Sequence, residues 1–457
     1  MYAFLRAIAG VALRWFYRDI QVDGVERIPR RQPLLLVVNH PNALVDALLV
    51  VWVVPRRVLI TAKGTLFANP VAAMFLRWAG VVPLHRASDA TTNQAAASSR
   101  NRDTFQAVHQ ALRRGGTVLI FPEGKTHDDP SLAQLKTGAA RMALHARDAG
   151  DVPGLAIVPI GLVFERKDAP RTRVFVQVGE PISMDSWRAR AGHVAAEALT
   201  ADIDARLRAV TLNYSTIDDA TRAVRLASLI AALFDAAPPI GATGRGLGVE
   251  TAIARRIEEL STRLPAAGPS LRREVDELLE RLDVLQRDAA RHDVMLEDVD
   301  IAVDHARAFR FLVRESWLLL VAGPVALWGR VNHWIPFQAA RLVAMRSVES
   351  AADPAMRTVV AGLVFVLLTY LAQTALVATL WSPAIALGYL TSLPIAAEIN
   401  FYASARLRRA LHRARAYIRF RRDPALHARL AAELASLRAA VLTLERALSD
   451  VRADTPA

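Results

Sequence analysis

Forty consecutive residues, Thr358 to Ala397, carry no Asp, Glu, Lys or Arg. A single helix of that length would run ~60 Å, about twice the hydrocarbon thickness of a bilayer. Trp381-Ser382-Pro383 falls inside the run and supplies a turn. The run therefore reads as two membrane-spanning helices, about 358–378 and 382–397. A second apolar stretch, Leu318–Gly329, lies between Arg314 and Arg330 and contains Pro324. Its 12 residues are too few to span. With Trp317, Trp328 and Trp334 around it, an interfacial segment is expected over 316–337. Residues 311–405 together form the hydrophobic membrane region. Directly after it, 406–422 holds eight arginines and no acid. Such a cluster beside a span marks the cytoplasmic side. A hairpin returns to its starting side, so the remainder of the chain is expected on the cytoplasmic face of the inner membrane.

Composition narrows the function classes. The chain has 457 residues, 53% of them apolar, so wholesale disorder is excluded. It has no cysteine, which rules out disulfide scaffolds, thiolate metal sites and cysteine nucleophiles. The net charge of +13 calls for a polyanionic partner. Because the densest basic run adjoins the membrane hairpin and no nucleic-acid motif accompanies it, membrane lipids are expected and nucleic acid is not. Only four of the basic residues are lysines (Lys63, Lys125, Lys136 and Lys167), a bias that a GC-rich genome would produce.

Five regions follow. Residues 1–20 read as a basic amphipathic helix on a membrane surface or packed on the next domain, with Arg6, Arg14 and Arg18 on one arc. Residues 21–210 alternate short apolar runs (Leu34–Asn39, Val58–Ala62, Val81–Leu84, Thr117–Phe121, Ile157–Val163, Arg173–Val178) with helical stretches near 43–53, 70–79, 94–114 and 131–149. That alternation predicts an α/β fold, a mostly parallel sheet flanked by helices. Pro159 within its run predicts an edge or a bend. Residues 211–310 read as an added helical region broken at Pro265–Pro269, with Leu278, Leu279, Leu282 and Leu285 as its seam. After the transmembrane hairpin, 406–457 is a basic, amphipathic helical tail that would pair with 211–310 or with another subunit as a homo-oligomer.

Common catalytic motifs fail. There is no G-x-S-x-G and no H-E-x-x-H, and Leu119 stands where a P-loop ending at Gly124-Lys125-Thr126 needs its first glycine. What remains are polar clusters at apolar strand ends. The run Asn39-His40-Pro41-Asn42-Ala43-Leu44-Val45-Asp46 follows a strand, and Asp46 falls in the first turns of the next helix. A carboxylate there can hold His40 Nδ1, fix the tautomer and leave Nε2 as a base for a substrate hydroxyl. Phe121-Pro122-Glu123-Gly124-Lys125-Thr126 has a glycine and a lysine suited to an anion, and Glu123 can accept from substrate hydroxyls. Gly80 to Arg86 ends in His85-Arg86, with Arg86 a bidentate phosphate ligand. Val158-Pro159-Ile160-Gly161 is the fourth cluster.

In order and spacing these four clusters resemble the blocks of the glycerolipid acyltransferase family, which includes lysophosphatidate and glycerol-3-phosphate acyltransferases: N-H-x-x-x-x-D, G-x-x-x-x-x-R, F-P-E-G and V-P-x-x. One departure is visible. Five residues, not four, separate His40 from Asp46. The H-P-N-x-x-x-D form, with Lys136-Thr137-Gly138 downstream, resembles a subgroup of fungal-type glycerol-3-phosphate/dihydroxyacetone-phosphate acyltransferases. The resemblance implies an acyltransferase-type fold over about 20–210. It implies His40 as general base and Asp46 as its orienter, with Arg86, Glu123 and Gly124 on the glycerol phosphate and Val158, Pro159 and Ile160 on the acyl-donor side. Asn39, Asn42, Lys125, Thr126 and Lys136 join the candidate binding residues by proximity and charge. The expected activity is transfer of an acyl group from acyl-CoA or acyl carrier protein to glycerol-3-phosphate or lysophosphatidate, with no metal and no organic cofactor. Two alternatives stand beside it: another lysolipid acceptor, such as an ornithine lipid precursor, and a non-catalytic membrane adaptor.

Overall fold

The computed structural model describes residues 2–63, 81–84, 105–167, 169–189, 194–234, 246–301, 303–346 and 354–451. They form two compact units, Met1–Ile217 with Ser347–Val359, and Asp218–Arg346 with Val360–Ala457.

The first unit is built on one sheet. Its strands are β1 (Asp19–Asp23), β2 (Leu34–Val38), β3 (Val58–Lys63), β4 (Val81–Leu84), β5 (Thr117–Ile120), β6 (Ala156–Phe164), β7 (Arg173–Val178) and β8 (Ile182–Ser183). Among the described residues the order is β1-β7-β6-β2-β5-β3-β4, with β8 on β6. All pairings from β6 through β2, β5 and β3 to β4 are parallel, whereas β7 and β8 run antiparallel to β6. The helices are α1 (Tyr2–Phe16), α2 (Ala43–Val53), α3 (Gly138–Asp148) and α4 (Ala195–Arg208), with a further helical stretch at 105–113.

Every residue of β2 is buried, which explains why it reads as an unbroken apolar run rather than an alternating one. Leu34, Leu36 and Val38 pack with Leu13, Val45 and Leu49 of α1 and α2. Leu35 and Val37 face the other way, toward Leu112, Ala143, Leu199 and Ile203. The sheet is thus covered on both faces, and the parallel carboxyl ends of β2, β3, β5 and β6 share one edge.

Several boundaries differ from the sequence reading. The first helix ends at Phe16 and the sheet begins with β1 at Asp19; Leu13, Phe16 and Tyr17 enter the main core, the packing on the next domain that was one of the two expectations for 1–20. The β6 run is neither edge nor bend. It lies inside the sheet between β2 and β7, and a residue's N–H and C=O point to the same side of a strand. The Pro159 carbonyl accepts from Gly179 N on the flank where partnership passes from β8 (at 156–157) to β7 (at 160–164), so no ladder bond is asked of its missing N–H. The expected 131–149 helix begins at Gly138. The expected helix at 70–79, the residues before 105 of that at 94–114, and the Gly80, His85 and Arg86 positions lie outside the described residues.

The second unit is helical: α5 (Ile217–Phe234), α6 (Leu247–Ser261), α7 (Pro269–Arg291), α8 (His305–Arg346), α9 (Pro354–Leu380), α10 (Pro383–Arg422) and α11 (Pro424–Asp450). The break at 265–269 separates α6 from α7 as expected. Leu278, Leu282 and Leu285 of α7 meet Leu430, Leu434 and Leu437 of α11, while Leu279 stays on the exposed side. Arg281–Glu433 and Arg429–Asp288, each 2.8 Å, line the same seam, so the tail helix pairs within its own chain.

The 316–337 segment is part of a longer helix than the uncharged run suggested. Leu318–Gly329 is the middle of the 42-residue α8, which runs unbroken through Pro324, Arg330 and Pro336. Counting only the uncharged run hid this, because one arginine does not end a helix and its long side chain can reach toward water. Among the described residues three helices are long and apolar enough to cross a membrane: His305–Val343, Thr358–Leu380 and Pro383–Arg422. α8 packs along α10. A Cβ on Gly329 would lie 2.1 Å from the Ala396 carbonyl oxygen, the Trp328 indole donates to Ser392 Oγ, and Tyr389 OH donates to Asn332 Oδ1 at 2.6 Å. His333 donates from Nδ1 to the Gly329 carbonyl and accepts at Nε2 from Tyr370 OH of α9. Glu315 joins α8 to α10 through Arg406 at 2.7 Å.

Candidate active site

Three chain segments meet at the carboxyl edge of the sheet: 39–46 after β2, 121–136 after β5, and 165–167 after β6. The chain leaves β2 toward β3 on one side and leaves β5 toward β6 on the other. Ligands of open α/β sheets sit at such a reversal.

His40 and Asp46 meet there. His40 Nδ1 lies 3.0 Å from Asp46 Oδ2, and the same oxygen accepts the Asn42 backbone N–H at 2.7 Å. The extra residue in the box therefore leaves the contact intact. Ala43, which opens α2, has a φ of 42°, a left-handed position at the helix start. That conformation costs a residue with a Cβ about 1–2 kcal/mol.

The imidazole plane stacks on Phe121, with centroids 3.8 Å apart and 14° between planes. Nε2 makes no hydrogen bond among the described residues. Asp46 is fully buried and its Oδ1 takes no hydrogen bond among the described residues. Burial pushes its carboxyl up to about 6, against the opposing pull of His40, the Asn42 N–H and Lys167. The pair thus has a tethered Nδ1, an Nε2 without a hydrogen bond among the described residues and a carboxylate in poor solvent, which can act as a general base.

The other candidate residues separate into two groups. Gly124 has a φ of 73° in the turn closed by its N–H on the Phe121 carbonyl. The side chain of Lys136 crosses it, with Nζ 3.0 Å from where a Cβ would stand. Lys125 and Lys136 are exposed at this rim and Thr126 is half-buried; among the described residues no hydrogen bond joins them to the His40–Asp46 pair. By contrast, Asn39 uses both amide atoms on the main chain of Leu162. Asn42 is 3% exposed and donates to Tyr17 OH and the Lys167 carbonyl. Pro159 is buried in mid-strand rather than at a strand end. Glu123 is also buried. Its Oε1 accepts from His40 N at 2.8 Å, and its Oε2 accepts from Ala133 N at 2.9 Å and from His127 Nε2.

Four site residues escaped the sequence reading: Tyr17, Phe121 as a stacking plane, His127 and Lys167. Lys167 Nζ donates to the Pro41 carbonyl at 3.1 Å, reaches the His127 carbonyl at 3.4 Å and pairs with Asp128. The scarcity of lysine was a usable signal. Lys125, Lys136 and Lys167 all lie at this edge, and Lys63 closes β3 on the same edge.

The family model described as Acyltransferase matches residues 19–163, the segment that builds this site. Over these residues the chain is therefore similar to acyltransferase domains. Curated relatives include glycerol-3-phosphate O-acyltransferase 2 of Saccharomyces cerevisiae, 45% identical over 85 residues, which is 19% of this chain and 11% of that protein. The chloroplastic 1-acyl-sn-glycerol-3-phosphate acyltransferase of Arabidopsis thaliana is 26% identical over 163 residues, 35% of this chain and 40% of that protein. That of Borreliella burgdorferi is 27% identical over 161 residues, 35% of this chain and 58% of that protein. Each match thus covers well under two thirds of the relative. Among solved structures, the 1-acyl-sn-glycerophosphate acyltransferase of Thermotoga maritima aligns with a TM-score of 0.34 and 21% identity, over 45% of this chain and 78% of that one.

Proposed function

We propose that this chain is a membrane-bound acyltransferase that moves an acyl group from acyl-CoA or acyl carrier protein to a hydroxyl of glycerol-3-phosphate or 1-acylglycerol-3-phosphate. The observation that carries the reading is the His40–Asp46 pair, held with Nε2 open at the carboxyl edge of a domain of this family. Relatives named for both acceptors support the substrate class.

The chemistry needs no protein nucleophile. The acceptor hydroxyl oxygen attacks the thioester carbonyl while His40 Nε2 takes its proton. The imidazolium that forms keeps Nδ1–H on Asp46. Collapse of the tetrahedral intermediate forms the ester and breaks the carbon–sulfur bond, and His40 returns the proton to the departing thiolate. Arg86, with Lys125 and Lys136 at the Gly124 turn, supplies positive charge for the acceptor phosphate. Asp46 is the positioning partner that keeps Nε2 unprotonated and basic.

The thioester donors are cytoplasmic, and the eight arginines of 406–422 resist translocation. Both argue for an active site on the cytoplasmic face of the inner membrane. Purified protein in detergent, given radiolabelled acyl-CoA and a panel of acceptors, tests the reading. Labelled lysophosphatidate or phosphatidate is the expected product. Labelling of unphosphorylated acceptors alone would contradict it.

A further inference from the structure

The buried glutamate of the F-P-E-G turn is a strut for the catalytic histidine. We infer that Glu123, fixed in turn by His127, positions His40 through its main chain and does not touch the acceptor. This rests on the acyltransferase reading of the site.

Both oxygens of Glu123 already have partners inside the protein. Oε1 takes the His40 backbone N–H, while Oε2 takes the Ala133 N–H and faces His127 Nε2. The residue is 2% exposed, so an acceptor hydroxyl would have to displace one of these donors. His127 is oriented to donate. The Asp129 N–H lies 3.2 Å from its Nδ1, and a backbone N–H can only donate, so the neutral ring carries its proton on Nε2, toward Glu123. The carbonyl of His127 accepts from Lys167, whose ammonium also holds the Pro41 carbonyl. His40 N and Pro41 O, on either side of one residue link, are thus tied to the same 121–129 segment by two separate bridges. One runs through Glu123 and one through Lys167. With its main chain fixed at these points, His40 needs only the Asp46 contact and the Phe121 stack to set its ring.

A ligand for the acceptor and a strut for the base predict opposite kinetics. His127→Phe keeps a ring and removes the donor. Glu123→Gln keeps an acceptor for His40 N and turns donors toward Ala133 N and His127. For both, kcat should fall about 10–100-fold, because small misplacements of a catalytic group cost that much. The KM for the phosphorylated acceptor should stay within about threefold of wild type, and His127→Gln, which restores a donor, should recover most of the rate. Hydrogen–deuterium exchange of the same proteins supplies a readout independent of turnover. Exchange in 39–42 should quicken in His127→Phe while β2 residues 34–38 stay protected. A tenfold or larger rise in acceptor KM at unchanged kcat, with exchange in 39–42 as in wild type, would overturn the inference and make Glu123 an acceptor ligand. A wild-type protein inactive toward every acceptor would instead overturn the acyltransferase reading, and the exchange experiment would still decide whether the strut exists.

Discussion

His40 is constrained at three places that fix different things: Asp46 sets its tautomer, Phe121 sets its ring plane, and Glu123 sets its main chain. Only the first was legible in the residues, and through the order of the four clusters taken together, because a His and an Asp six residues apart after a strand are weak evidence alone. The contacts of Tyr17, His127 and Lys167 depend on how β1, β5 and β6 are ordered in space, which no local spacing encodes. Asp46 yields a prediction with a definite sign. One oxygen, Oδ2, takes both donors, so Asp46→Asn can present its amide oxygen in that place and remove the charge while keeping the tautomer. Rate should fall about 10²-fold or more. Burial raises the carboxyl from 3.8 to about 6, so the folded chain holds this proton more tightly than the unfolded one. Stability from that proton is present at low pH and is lost as pH rises through this window. The Asn variant escapes the loss, and thermal unfolding above pH 6 should find it as stable as wild type or more so. The kcat/KM of wild type should in turn fall as pH drops through about 6, where Asp46 takes up its proton, with an apparent pKa that belongs to the His40–Asp46 pair. A profile flat from acid to neutral pH would contradict this role.

At the level of elements, the six apolar strands were visible because strands buried on both faces are continuous apolar runs, as Leu34–Val38 is. β1 and the two-residue β8 were not, because Asp19–Asp23 and Ile182–Ser183 are short, partly exposed edge pieces with no run to detect. The length of α8 was missed for the opposite reason, since a charge-free run is a narrower criterion than a helix. That helix depends on one small residue. A side chain at Gly329 would collide with the main chain at Ala396, whereas one at Gly323, six residues earlier, would meet nothing within 4 Å. Close approach through small residues is a common way for membrane helices to pack. Gly329→Val should therefore lower the unfolding temperature in detergent markedly and Gly323→Val should not. Equal effects of the two would show that α8 and α10 do not pack as described.

For the whole molecule, the α/β domain was readable because apolar strands alternate with helices and the motif blocks fall in a fixed order along them, whereas the crossing number was not, because it depends on where charges sit in a bilayer. Length and composition admit three crossings, whereas the proposed cytoplasmic site and the eight arginines of 406–422 together predict an even number. The chain has no cysteine, so single cysteines at Ser183 and Ser449 can count the sides. Both should be shielded from a membrane-impermeant maleimide in intact spheroplasts and both should label after lysis. Labelling of one alone before lysis would mean an odd number of crossings. One comparison tests whether His40 is the base of an acyl transfer. Wild-type and His40→Ala proteins, purified alike in detergent and matched for thermal unfolding, are assayed for transfer of labelled acyl groups from acyl-CoA to glycerol-3-phosphate and lysophosphatidate. Wild type should form product and the Ala variant should lose about 10²–10⁴-fold in rate. A folded Ala variant that keeps more than about a third of the wild-type rate, far above what loss of a general base allows, would contradict the account.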